Sequence, residues 1–178
     1  MLPYRAPCGG RGRTGVAMRI NVYTVGGTID KVYFDARSTY EVGAPEVTRL
    51  FARAKTTFDC TVTEIARKDS LELTTQDRDA LRTRVLADDC PLILITHGTD
   101  TMTETARSLA GIAGKTIVLT GALEPARFID SDAPFNLGMA VAALQTCAAG
   151  VYIVMNGHVF AAAQVRKNPQ TNTFEALD

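Results

Sequence analysis

The chain lacks an excess of charge of either sign: 19 basic residues balance 19 acidic ones over 178 positions. That neutrality argues against a nucleic-acid-binding surface and against a polybasic membrane contact. No apolar run approaches the roughly 18 residues that a membrane helix requires. Cysteine is sparse and scattered. Cys8, Cys60, Cys90 and Cys147 form no C-x-x-C pair and no zinc pattern, which points to reduced, structural thiols. Internal repeats and low-complexity blocks are absent. After the first apolar run neither G-x-G-x-x-G nor G-x-x-x-x-G-K-[ST] follows, which argues against a nucleotide site there.

What is present divides unevenly. Residues 1–17, with Gly9-Gly10-Arg11-Gly12-Arg13, show little apolar periodicity and are too polar for a secretory leader, so we expect a disordered tail. One folded domain is expected over residues 18–178. A chain of this size buries roughly 70% of its unfolded surface without needing disulfides.

Strand and helix patterns alternate from Met18 onward. Ile20–Val25 reads as a first strand ending in Gly26-Gly27-Thr28, a turn that presents a hydroxyl. Lys31–Gly43 suggests a β-hairpin holding Tyr40, placed as a lid over the Thr28 turn. Val47, Leu50, Phe51 and Ala54 fall on one helical face. Thr61–Ala66 is β-rich and leads to the polar loop Arg67-Lys68-Asp69-Ser70. Thr74–Asp88 reads as a helix with Leu81, Val85 and Leu86 inward. Leu92-Ile93-Leu94-Ile95 has the unbroken apolar character of a strand buried on both faces.

That strand ends in His97-Gly98-Thr99-Asp100-Thr101-Met102, a polar cluster at the start of a helix. Thr101 and Glu104 have the spacing of a capping box, which does not require Thr99 or Asp100. A helix follows to about Ala113, with Met102, Ala106, Leu109 and Ala110 inward. Thr116–Thr120 is another buried strand, and a helix from Pro134 turns Phe135, Met139, Ala142 and Ala143 inward. Gly150–Met155 is the last strong strand, followed by the turn dipeptide Asn156-Gly157 and a polar tail. The expected fold is an α/β three-layer sandwich: a mainly parallel central sheet, helices on both faces, and a β-hairpin lid after the first strand. In such a sheet the strand ends share a rim, which gathers the loops of Thr28, Ser70, Thr99–Asp100 and Gly121.

Gly26-Gly27-Thr28-Ile29 and His97-Gly98-Thr99-Asp100-Thr101-Met102, in that order and each after a strand, resemble the two signatures of the bacterial-type L-asparaginase family. The resemblance continues through Asp69-Ser70, Gly121-Ala122, Ser131–Leu137 and Val165-Arg166-Lys167. It spans about residues 18–175, the amino-terminal domain of that family, and the whole is similar to short-chain asparaginases that consist of this domain. The resemblance implies that Thr28 is the nucleophile, Tyr40 its lid tyrosine, and Thr99, Asp100 and Lys167 a second catalytic group. It further implies substrate contacts from Gly27, Asp69, Ser70, Gly98, Thr99, Asp100 and the Ala122 carbonyl.

The implied reaction converts L-asparagine to L-aspartate and ammonia. Hydrolysing a carboxamide takes a nucleophile, a proton for the departing ammonia, and donors for the oxyanion. Either Tyr40 activates Thr28 directly, or Lys167, steered by Asp100, acts through Thr99. The scheme calls for no metal and no organic cofactor. His97 is expected to be structural, bonded to backbone, because no Ser or Cys nucleophile motif accompanies it. Alternatives are a broader amidase or glutaminase, a non-catalytic amino-acid-binding domain, and a subunit that needs a partner to complete its site. We expect a cytoplasmic homodimer or homotetramer.

Overall fold

The computed structural model describes residues 18–34 and 39–177. The expected tail, 1–17, lies outside the described residues. Six strands form the central sheet in the order β4-β1-β5-β6-β7-β8. They are β1 (Arg19–Gly26), β4 (Asp59–Lys68), β5 (Leu92–Thr96), β6 (Thr116–Thr120), β7 (Gly150–Met155) and β8 (His158–Ala161). The first five are parallel to one another, and β8 pairs antiparallel with β7. The Asn156-Gly157 turn between them has φ of 53° and 78°, the positive values that a two-residue hairpin of this twist demands.

Side-chain alternation along the central strands divides the core in two. Ile20, Val22, Leu94 and Val118 face α1 (Val47–Arg53) and α4 (Ala133–Thr146). Tyr23, Val25, Ile93, Ile95, Ile117 and Leu119 face α2 (Thr75–Ala87) and α3 (Met102–Ser108). The three-layer sandwich expected from the alternating pattern is therefore present. So is the hairpin after the first strand, β2 (Lys31–Phe34) with β3 (Thr39–Val42), its tip at 35–38 lying outside the described residues.

Several local expectations are corrected. The Thr101–Glu104 capping box does not form: the Thr101 hydroxyl donates to the Ser70 carbonyl at 2.7 Å, and Glu104 pairs with Arg78 at 3.0 Å. Tertiary partners outcompeted the local one. A capping box does open α2, between Thr74 and Asp77. Helix α3 stops at Ser108, short of the expected end near Ala113, and Gly111 already takes a left-handed φ of 79°. On α4 the inward residues are Asn136, Leu137, Ala140, Ala143 and Leu144, while Phe135 is exposed. Leu86 and Ala110 likewise face outward. The polar tail is a second hairpin, β9 (Val165–Asn168) with β10 (Thr173–Ala176). Buried Val165 and Phe174 hold it to the α3 side of the core.

Candidate active site

The chain runs from β1 outward to β4 and then crosses back to β5, so the strand order reverses between β1 and β5. Ligand sites of open α/β sheets lie at such switch points, beyond the carboxyl ends of the strands. Here the loops beyond β1 and β5 are Gly27-Thr28 and His97–Asp100.

These two loops touch through backbone. Gly27 has φ of 93°, and a Cβ there would lie 2.3 Å from the Cα and N of Gly98. A Cβ on Gly98 would in turn lie 2.7 Å from the Cβ and Oγ of Ser70. Gly27, Gly98 and Ser70 thus form a three-loop junction that no side chain at either glycine would permit. The Gly27 N–H donates to the Lys68 carbonyl at 3.0 Å, which ties the turn to the end of β4 as well. By strand order Thr28, half-buried, sits between the Asp69–Ser70 loop and the Thr99–Asp100 loop.

Thr99, Asp100 and Lys167 are brought together. Lys167 Nζ donates to Thr99 Oγ1 at 2.8 Å and to Asp100 Oδ1 at 2.6 Å. The lysine side chain is 13% exposed and Asp100 is 46% exposed. Lys167 reaches them from β9, so the terminal hairpin positions the third member of the group. Ser70 is buried beneath Gly98, its carbonyl fixed by Thr101. Asp69 accepts from the Leu71 N–H at 3.2 Å and pairs with Lys31 at 2.7 Å. The Lys31 ammonium is the largest influence on the Asp69 carboxyl and holds it below the usual carboxylate range. Lys31, directly after the Gly-Gly-Thr turn, was not among the residues expected from sequence, and its position beside that motif was the available signal.

Ala122 is buried in the cluster facing α4. Its loop is fixed by Asp132, which accepts from the Leu123 N–H at 3.0 Å, and by Asn136, which donates to the Gly121 carbonyl at 3.1 Å. His97 is fully buried. Its Nδ1 contacts the Gly98 carbonyl at 2.6 Å and its Nε2 the Thr105 hydroxyl at 2.7 Å. The carbonyl can only accept, so Nδ1 carries the proton and Nε2 accepts from Thr105. Burial lowers the His97 pKa to about 4, which keeps the ring neutral.

Tyr40 is not joined to this group. It is half exposed and stacks edge-on against Tyr33, at 5.4 Å between centroids, and Phe128, at 6.1 Å. It shares a cleft of about 380 Å³ with Lys31, Lys68 and Asp69. A second cleft of about 250 Å³ opens beside Lys167, lined by the β9–β10 hairpin.

Fold and site together define a doubly wound α/β domain with a threonine–aspartate–lysine group at its switch point. The chain belongs to the asparaginase family: the family described as "Asparaginase, N-terminal" matches residues 19–178. A glutaminase-asparaginase of Acinetobacter glutaminasificans is 42% identical over 86 residues, which is 46% of this chain and 26% of that protein. The structure of a probable cytoplasmic L-asparaginase from Campylobacter jejuni superposes with a TM-score of 0.75 at 30% identity, covering 89% of this chain and 52% of that one. The thermostable L-asparaginase from Thermococcus kodakarensis has the same fold, with a TM-score of 0.77 at 24% identity over 89% of this chain and 51% of that one. The chain thus spans about a quarter of the relative's length in the sequence match and about half of each solved structure. Among the described residues no helix is long and apolar enough to cross a membrane.

Proposed function

We propose that the domain formed by residues 18–178 hydrolyses the side-chain carboxamide of L-asparagine to give L-aspartate and ammonia, with Thr28 as the acylated residue. The supporting observation is the Lys167–Thr99–Asp100 group, bonded at 2.8 and 2.6 Å, on the loop that the Gly27–Gly98 contact presses against the Thr28 turn. A pocket that merely bound an amino acid would have no use for a lysine directed at a second threonine.

In this reading the Thr28 oxygen adds to the amide carbon as its proton leaves. The tetrahedral intermediate expels ammonia, which takes up a proton, and leaves an ester. Water then adds to the ester, releases aspartate and restores the Thr28 hydroxyl. Of the two activation routes, we favour the one through Thr99 and Lys167, because its hydrogen bond is already made while Tyr40 is half in solvent. The Thr28 proton passes by way of Thr99 to the departing ammonia, and Lys167, donating to the Thr99 hydroxyl, offsets negative charge developing nearby.

The substrate's α-ammonium falls to Asp100, whose Oδ1 alone is engaged by Lys167. Its α-carboxylate falls to the Ser70 loop, with Gly27 and Gly98 lining the contact and the Ala122 carbonyl facing the amide. Lys31 offsets the Asp69 charge in the cleft that would receive that carboxylate. The similarity to a glutaminase-asparaginase favours glutamine as the second substrate to test.

The decisive assay is ammonia release from asparagine and glutamine by the purified chain and by Thr28→Ala. We expect turnover by the wild type and its loss, with unchanged thermal unfolding, in the variant. Wild-type rates in Thr28→Ala would remove the nucleophile from the scheme. Exposed Phe34, Phe128, Ile129 and Phe135 support a homodimer or homotetramer, and free thiols at Cys60, Cys90 and Cys147 support a cytoplasmic setting. Elution as a monomer at micromolar concentration would count against assembly.

A further inference from the structure

Asp30 is almost fully buried, and the chemistry proposed above gives it no role. Its bonds nevertheless join three parts of the site. Its N–H donates to the Gly27 carbonyl at 3.1 Å and closes the turn that presents Thr28. Its carbonyl accepts from the Gly43 N–H at 2.8 Å, where the chain returns from the β2–β3 hairpin. Its carboxylate Oδ1 accepts from the Glu46 N–H at 2.8 Å, at the entry to α1. The hairpin therefore leaves and rejoins the domain at one residue.

Glu46 carries the connection to the opposite loop. Its carboxylate, 4% exposed, accepts from Arg127 Nε at 2.6 Å and pairs also with Arg49. Arg127 adjoins Phe128, the residue against which Tyr40 packs. The Ala126 N–H donates to the Ile29 carbonyl at 3.1 Å, so this loop is tied back to the Thr28 turn as well. Burying a carboxylate is costly unless it is bonded, and a plain turn has no need of one.

We propose that Asp30 is a positioning residue: it fixes the hairpin that carries Tyr40 relative to the turn that carries Thr28. The geometry stands by itself, while the kinetic consequence rests on the amidohydrolase reading. Glu46, Glu64 and Arg67 are the charged groups that face the Asp30 carboxyl. Burial, with the two carboxylates, pushes its pKa up to about 6 against the opposing effects of the Glu46 N–H and Arg67. Ionisation strengthens the bond from Glu46 N–H, since a charged acceptor binds more tightly than a neutral one. Burial nevertheless outweighs that bond, so ionisation on balance favours opening and the anchor loosens as pH rises through that value.

The test compares the full chain with Asp30→Ala and Asp30→Asn by hydrogen exchange of peptides spanning 39–43 and by asparagine hydrolysis against pH. Asparagine keeps an oxygen for the Glu46 N–H but does not titrate. Asp30→Ala should exchange about tenfold faster or more across 39–43, with a comparable loss in kcat/KM. Asp30→Asn should keep the protection while losing the step in kcat/KM that the wild type is expected to show near pH 6. Should Asp30→Ala not fold, Glu46→Pro against Glu46→Ala removes the same bond from the donor side. The Glu46 φ of −82° suits proline; both variants lose the pairs to Arg127 and Arg49, so the proline variant should loosen the hairpin more than the alanine one by the bond to Asp30 alone. Wild-type exchange in a folded Asp30→Ala, or in Glu46→Pro, overturns the proposal. A hairpin loosened by Asp30→Ala in a protein whose wild type releases no ammonia would sink the amidohydrolase reading and leave the anchor standing.

Discussion

Substituting Gly98→Ala tests the three-loop junction without touching any proposed reacting group. The added Cβ would sit 2.7 Å from the Cβ and Oγ of Ser70 and 3.2 Å from the Cα of Gly27. Carbon atoms rest comfortably at about 3.5–4.0 Å, so the Ser70 loop must retreat by roughly 1 Å. Ser70 has little room to yield, because it is buried and its carbonyl is held by Thr101. Overpacking of this kind costs about 1–3 kcal/mol, which for a domain of this size lowers Tm by roughly 3–10 °C. A displacement near 1 Å in a catalytic arrangement costs about a hundredfold in rate, so kcat/KM for asparagine should fall by about that factor. The control is Gly138→Ala on α4, where a new Cβ meets nothing within 4 Å. Alanine inside a helix should leave stability unchanged or raise it by about 0.5–1 kcal/mol. Thermal unfolding and ammonia release read both variants. If Gly98→Ala keeps wild-type Tm and kcat/KM, the loops beyond β1 and β5 are not in contact and the site as described here is wrong.

Lys167→Met removes the two bonds to Thr99 and Asp100 while keeping most of the side-chain volume; we expect kcat to drop by about two orders of magnitude or more with native unfolding behaviour, and unchanged kinetics would eliminate the lysine. His97 and Asp30 should act oppositely on acid stability. The unfolded state protonates a histidine near 6.5 and the folded state near 4, so stability is lost as pH falls between those values, by on the order of 3 kcal/mol. Asp30 takes its proton near 6 when folded and near 3.8 when unfolded, so its contribution grows over a similar fall in pH and is lost as pH rises through 6. Urea unfolding of wild type and His97→Asn at pH 7 and 4.5 should therefore show the wild type losing more on acidification; a difference independent of pH refutes the buried neutral ring. The Thr24 hydroxyl is fully buried and has no hydrogen-bond partner among the described residues, so Thr24→Val should be neutral or stabilising by about 1 kcal/mol. A loss larger than that would reveal a partner for the hydroxyl.

The central strands were legible because burial on both faces leaves an unbroken apolar signature, as in Leu92–Ile95 and Thr116–Thr120. Both signature loops could be located because each follows such a strand. What escaped depends on partners distant in the chain. Thr101 had a good local partner at Glu104 and took the Ser70 carbonyl instead, and nothing within one helical turn could have revealed that. Helix α4 carries small apolar residues on several faces, so periodicity misplaced its inner side and turned Phe135 inward when it is exposed. The bonds of Asp30 to Gly43 and Glu46 cross the whole β2–β3 hairpin, beyond any local pattern.

The terminal hairpin shows why the position of Lys167 was invisible to pattern alone. Val165–Asn168 and Thr173–Ala176 are short and partly polar, with no alternation clean enough to announce strands. Their pairing sets Lys167 opposite Phe174. Directly opposed residues of an antiparallel pair project on the same face, and Phe174 is buried in the core beside α3. Burial of Phe174 therefore obliges Lys167 to point inward as well. The lysine side chain is accordingly largely buried, and its ammonium reaches Thr99 and Asp100. Asn156 Oδ1, accepting from the Phe174 N–H at 2.8 Å, ties the same hairpin to the turn after β7. An apolar anchor on one strand thus sets the direction of a charged side chain on the other. Lys167 comes to Thr99 and Asp100 because a phenylalanine leaves water.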